Sequence, residues 1–113
     1  MTDGDSVSYR ICEAARREMA KRIPGMEHHI AELRNLILEP CTGCGSCAAT
    51  NRCVTGDDFN SLYDELIVSD VIFFVSPHYA PIPAKLAAFL EKAEEIAFLK
   101  WYKDPAYRSY TNL

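Results

Sequence analysis

Val71-Ile72-Phe73-Phe74-Val75 is a continuous run of β-branched and aromatic residues, bounded by Ser69-Asp70 before it and Ser76-Pro77-His78-Tyr79 after it. Five apolar residues in a row, with no polar residue at alternate positions, suit a strand covered on both faces, as in a parallel sheet. On either side of the run the pattern changes to helical spacing. Upstream, Phe59, Leu62, Tyr63 and Leu66 share one helical face, and Asp57 or Asp58 can cap that helix. Downstream, a helix is expected from near Pro83, burying Leu86, Phe89, Leu90, Ala93 and Ile96. It should end before Asp104-Pro105, because a residue preceding proline avoids helical geometry.

The N-terminal third begins with another amphipathic pattern. Val7, Ile11, Ala15 and Met19 recur every four residues, Asp5 or Ser6 can cap the start, and Pro24-Gly25 ends it, giving a helix over about 6–22. Cys12 lies within it and reads as a small buried hydrophobe. The stretch from Glu27 to Arg34 is ambiguous: Ile30, Leu33 and Ile37 fit helical spacing, whereas His29, Ala31 and Leu33 fit one face of a strand. Residues 39–58 are rich in Cys, Gly, Thr and Asp and read as a long loop, which in so small a domain is usually functional. The order helix, possible strand, loop, helix, strand, helix is α/β layering. In such sheets ligands bind beyond the carboxyl ends of the strands, which is where 39–58 and 76–79 would both lie.

Size and charge narrow the function. The 113 residues support one small domain, here 1–113, with an aromatic polar tail over 104–113. Twelve Lys and Arg against sixteen Asp and Glu give a net charge of −4, with no basic stripe for a nucleic-acid backbone. The longest apolar run is too short to span a bilayer, and Met1-Thr2-Asp3-Gly4-Asp5 lacks the apolar core of a signal peptide, so a cytoplasmic protein is expected, with neither nucleic acid nor membrane as partner.

Four of the five cysteines lie in one segment: Cys41-Thr42-Gly43-Cys44-Gly45-Ser46-Cys47, closed by Cys53. A secreted disulfide scaffold would spread its cysteines along the chain. Overlapping C-x-x-C units direct successive sulfurs to one side, as an iron–sulfur cluster requires, and Gly43 and Gly45 allow the tight turns. Four thiolates would also satisfy zinc, and redox-active or structural thiols without metal stay open. Three histidines and several aromatics carry weaker signals. His78 suits a hydrogen bond or acid–base role near neutral pH and equally a polar loop residue. His28 and His29 would point to opposite faces of a strand and cannot chelate together. Trp101, Tyr102, Tyr107 and Tyr110 fit either a partner surface or, for Trp101, the core. The Lys and Glu residues from Lys92 to Lys100 read as a solvated helix face.

Together, Pro40 to Cys47, Cys53, Asp57-Asp58 and Ser69 to Tyr79 resemble the iron–sulfur flavoprotein branch of the NADPH-dependent FMN reductase family, within the flavodoxin-like superfamily. The resemblance runs from about Gly4 to Pro105. It implies a three-layer, doubly wound parallel sheet that binds FMN. Cys41, Cys44, Cys47 and Cys53 match the ligands of a 4Fe-4S cluster that exchanges electrons with the flavin. Ser76, Pro77, His78 and Tyr79 match the loop along the flavin ring, and Glu27 to Leu33 would be a strand. NAD(P)H or a protein would donate or accept electrons. Two departures stand out. No apolar strand and phosphate-binding loop precede the first helix, and Asp5 puts negative charge where a phosphate would sit. Residues 1–113 would also hold no counterpart of the family's last two strands. The fold expected is therefore an incomplete flavodoxin-like domain of about two strands and three helices. Those strands would lack their shared neighbour, so they would pair directly or borrow strands from a second copy or a partner, and a homo-oligomer is expected. The contrasting reading is a non-catalytic iron–sulfur or zinc module, or a fragment, that completes its sheet with a partner.

Overall fold

The computed structural model describes residues 6–76 and 82–106. Ser6 begins the first helix, α1 (Val7–Arg22), its hydroxyl accepting the Tyr9 amide at 3.4 Å. The helix ends where Ile23 N–H closes onto Met19 O and Gly25 takes a left-handed φ of 82°. Both ends follow the sequence reading. No residue of α1 is buried, however, and Val7 and Ile11 of its apolar stripe are exposed. Cys12 is half-buried.

A short α2 (Cys47–Thr50) sits within the cysteine-rich segment, followed by α3 (Phe59–Ile67) and α4 (Ala84–Lys103). The last helix stops one residue before Asp104-Pro105, as expected. It is the packing platform of the molecule, touching α2, α3 and a 3-10 turn at Leu33–Asn35. The core consists of Leu38, Phe59 and Tyr63 against Phe89, Ala93 and Ile96, with Leu62 and Leu66 at its edge. Phe59 is fully buried, its ring centroid 5.5 Å from Tyr63 and 5.4 Å from Phe89. Leu90, expected inside, is partly exposed at the edge of the packed face.

The strands differ from expectation. Among the described residues there is no strand, and the parallel sheet is not formed there. Residues 71–76 have no regular structure, and Phe73 is 66% exposed rather than covered on both faces. Residues 27–32 are irregular and lead into the 3-10 turn instead of forming a strand. A strand needs a ladder partner for its backbone groups. The two stretches do not pair with each other. The backbone around the 3-10 turn is satisfied differently: Lys85 Nζ donates to Arg34 O at 3.1 Å and to Leu36 O at 2.6 Å.

The charge pattern of α4 also needs correction at one point. Lys92, read as part of a solvated face, is buried. Its ammonium meets Asp57 Oδ2 at 2.8 Å, with the two side chains only 4% and 2% exposed. Trp101 is about half exposed, in contact with Phe98 rather than sunk in the core. Tyr107 and Tyr110 lie outside the described residues. Among the described residues no helix is long and apolar enough to cross a membrane.

These positions separate two phenylalanines by energy. Phe59→Ala should lower stability by roughly 3–5 kcal/mol, the usual cost of emptying an aromatic site in a packed core. Phe73→Ala should change it by no more than about 0.5 kcal/mol, as at ordinary surface positions. Urea unfolding of both variants checks this, and a large loss at Phe73 would place 71–75 inside a packed sheet.

Candidate metal and redox site

The cysteine-rich segment is a loop closed at its base by two adjacent aspartates. Asp58 N donates to Ile37 O at 2.8 Å, and Ile37 N returns a bond to Asp58 Oδ2 at 2.6 Å. Asp57 Oδ2 accepts the Glu39 amide at 2.9 Å, and its Oδ1 accepts the Phe59 amide at 3.1 Å. Asp57 therefore serves the start of α3, while Asp58, at the N-cap position, makes no side-chain cap bond there. Burial would push the Asp57 carboxyl up, but the Lys92 ammonium and these two amides outweigh it and hold it below the usual value.

From this base the loop lies along α4. Cys41 N donates to Glu91 Oε1 at 2.8 Å. Lys103 Nζ reaches Ala48 O and, at 2.8 Å, Asn51 Oδ1, fixing the end of α2. Asn60 clamps Cys53 like a strand neighbour: Cys53 N donates to Asn60 Oδ1 at 3.1 Å, and Asn60 Nδ2 donates to Cys53 O at 2.7 Å. Arg52 forms a bidentate pair with Asp64 at 3.0 and 3.1 Å, tying the neighbouring residue to α3.

All five cysteines are free thiols. Cys41 and Cys44 are exposed, whereas Cys47 and Cys53 are half-buried. Gly43, at φ 72°, turns its amide onto Cys41 Sγ at 3.4 Å. The Ser46 amide, then the Ser46 and Thr42 hydroxyls, bond the Cys44 sulfur and hold its thiol below the ordinary value. Burial pushes the Cys47 thiol up, followed by the charge of Glu95 and by Cys41 and Cys44 themselves. The three C-x-x-C thiols thus lie within electrostatic reach of one another. Cys53 packs at the edge of the core formed by Phe59, Phe89 and Ala93.

The donor set fits a four-thiolate centre in kind. Its sulfurs are soft, and Cys41 Sγ already accepts the Gly43 amide. The thiols are not drawn to a point, however: among the described residues no three Cys, His, Asp or Glu side chains converge closely enough to hold a metal ion. A common centre requires further closure of the loop, which metal binding can drive. Lys92 and Asp57, the buried charges of the site, were missed by the sequence reading. The single available signal was Asp57 at the end of the loop, read as a helix cap.

The flavin-loop residues are less fully placed. Ser76 is exposed, and Pro77, His78 and Tyr79 lie outside the described residues. A shallow groove of about 250 Å³ lies elsewhere, lined by His29, Glu32, Asn35, Asp58, Ser61 and Glu65 among others, and it includes neither Ser76 nor a cysteine. It is smaller than usual cofactor pockets. This groove is not a cradle that fits FMN. His28 and His29 take separate partners, Arg16 at 2.7 Å and Glu65, consistent with their reading as structural residues.

The family profile described as NADPH-dependent FMN reductase matches residues 2–107. The chain is also 29% identical over 84 residues to an iron-sulfur flavoprotein of Archaeoglobus fulgidus. That match covers 74% of this chain and 37% of the relative, so the chain spans well under half of that protein's length. No solved structure matches.

The Asp57 contacts predict an acid dependence. Its folded carboxyl sits below the unfolded value of about 3.9, so its contribution is full above that pH and is lost as pH falls through the lower, folded value. Asp57→Asn removes that contribution at every pH. The stability gap between wild type and Asp57→Asn, measured by urea unfolding, should be constant near neutrality and close progressively below about pH 4.

Proposed function

As a member of the NADPH-dependent FMN reductase family, a family of flavodoxin-like α/β fold, this chain is, we propose, part of a redox protein that couples flavin chemistry to a four-cysteine iron–sulfur site. Cys41, Cys44, Cys47 and Cys53 are the proposed ligands of a 4Fe-4S cluster. The observation that carries this reading is the anchoring of the cysteine segment to α4 and α3, with the Gly43 amide on Cys41 Sγ and the Asn60 clamp on Cys53. When bound, such a cluster supplies one-electron transfer and a flavin exchanges one electron or two.

The chain's own residues do the positioning. Glu91 fixes the start of the segment, Asn60 its return and Lys103 the α2 turn between them. The amides and hydroxyls at Cys44 favour its thiolate, the form that ligates iron. Ser76, Pro77, His78 and Tyr79 are proposed to run along the flavin ring, on the strength of the family and of their place directly after the apolar run. NAD(P)H or a protein is the proposed electron donor or acceptor, and self-association is proposed to cover the exposed apolar run.

A second reading is favoured by the anchoring itself, whose contacts tie the cysteine segment to α3 and α4. In it the four thiolates hold iron–sulfur or zinc as a structural centre, without catalysis.

Absorption of protein purified without oxygen separates the two. A broad brown band that bleaches with dithionite, with a structured yellow flavin band upon it, is the expected result. Brown colour without flavin would favour the structural centre, and a colourless protein with no iron would remove the cluster assignment. Cys47→Ala should lower the iron content well below that of wild type, and unchanged iron would overturn the ligand set.

A further inference from the structure

The adjacent pair His28-His29 links two helices to the segment between them, and its two rings do so in opposite protonation chemistry. His28 Nε2 lies 2.7 Å from Arg16 Nη1 of α1. A guanidinium can only donate, so His28 accepts through a bare Nε2 and is neutral, with its proton on Nδ1. His29 Nδ1 lies 2.5 Å from Glu65 Oε1 of α3. A carboxylate only accepts, so His29 donates there, and a second proton on its ring makes that bond charge-assisted.

The attachment of α1 gives the difference a consequence. No residue of α1 is buried, and among the described residues it packs against none of the other helices. Tyr9, Cys12, Arg16 and Met19 make its half-buried stripe, and Arg16 carries from it the bond to His28. The charges around His28 favour the neutral ring. On α1, Glu13 is already bonded by Arg16 and lies 3.9 Å from Arg17 Nε, so one carboxylate serves two guanidiniums and a third cation is unbalanced. Glu27 precedes His28 in the chain and is exposed, and Glu32 is taken by Arg34 at 2.9 Å. Around His29 the balance is reversed: Glu32, Asp58 and Glu65 line the same groove.

We propose that His28-His29 is an acid-operated hinge: protonation cuts the Arg16–His28 bond and loosens α1, while it tightens His29 on Glu65 and keeps residues 27–32 on α3. The bond to α1 needs the neutral ring, so it is complete at high pH and is lost as pH falls through the range in which histidine takes up its proton, about pH 8 to 5. The bond to α3 gains over the same range. The hinge rests on neither the cysteine nor the flavin assignment.

The test is amide hydrogen exchange of the full chain, read by mass spectrometry at about pH 7.5 and about pH 5.5, on either side of histidine's ordinary titration. Each rate is divided by that of the unfolded chain at the same pH. Protection of α1 should fall about two- to five-fold in acid, the size of an exposed polar contact, while α3 and α4 keep theirs. His28→Gln, whose carbonyl still accepts from Arg16 but takes up no proton, should abolish the fall. His29→Gln should leave it in place, because that ring bonds α3. Protection of α1 that is equal at the two pH values overturns the hinge. So does a fall that persists in His28→Gln, or one shared equally by α3 and α4, which would be general unfolding.

Discussion

The ion pair between Asp57 and Lys92 is the constraint on which the described structure turns. Three segments meet there: the start of the cysteine loop through Glu39, the first turn of α3 through Phe59, and the middle of α4 through Lys92. Removing one partner of a buried pair typically costs about 3–5 kcal/mol, because the other charge is left uncompensated. A well-packed apolar pair could hold the same elements together with similar stability. What the charges add is direction, since the carboxylate accepts two amides and the ammonium takes one position over Phe59. Leu38 packs into the core between two residues whose amides the aspartates accept, so core packing and loop closure reinforce each other.

From that base, α4 acts as a template for the loop. Glu91, Lys92 and Lys103 each hold a different part of the segment or its base, over more than three turns of helix. The helix is bound from outside at points thirty-five to fifty-five residues away in sequence, which sets the loop's course before any ligand arrives. Gly43 and Gly45 supply the positive φ at the turns, and a Cβ at either would meet no neighbour. Backbone strain, not crowding, is therefore the reason for glycine at these positions.

Legibility in the sequence followed the range of the interaction. The helix ends were readable because caps and proline breaks act within a few residues, as at Ser6, Arg22 and Lys103. The cysteine segment was readable because its spacing is local. Lys92 was not, because a lysine among glutamates on a helix has the signature of a solvated face, and its partner lies thirty-five positions away. The strands failed for a related reason. Val71 to Val75 has the composition of a covered strand, but composition does not supply the neighbour that covers it. The stretch 27–32 shows how a segment without a ladder resolves: a lysine side chain binds the carbonyls just beyond it, and a 3-10 turn replaces the strand.

The same distinction divides the two halves of the proposed redox site. The cysteine half is held by helices and side chains that are all in place among the described residues. The flavin half depends on the sheet, because Ser76 follows the apolar run directly and a loop at a strand's carboxyl end is aimed by the strand's register. With Phe73 exposed and the run unpaired, nothing in the described structure fixes that register. Pairing of 71–75 would fix the register of the run that ends at Ser76. Pairing would also cover an apolar stretch that begins at Ile67 and Val68, the latter 79% exposed. Burial of this surface supplies the driving force for pairing, and the backbone ladder supplies its direction. The anchoring of the cysteine segment rests on α3 and α4, whereas the proposed flavin loop would depend on the sheet as well.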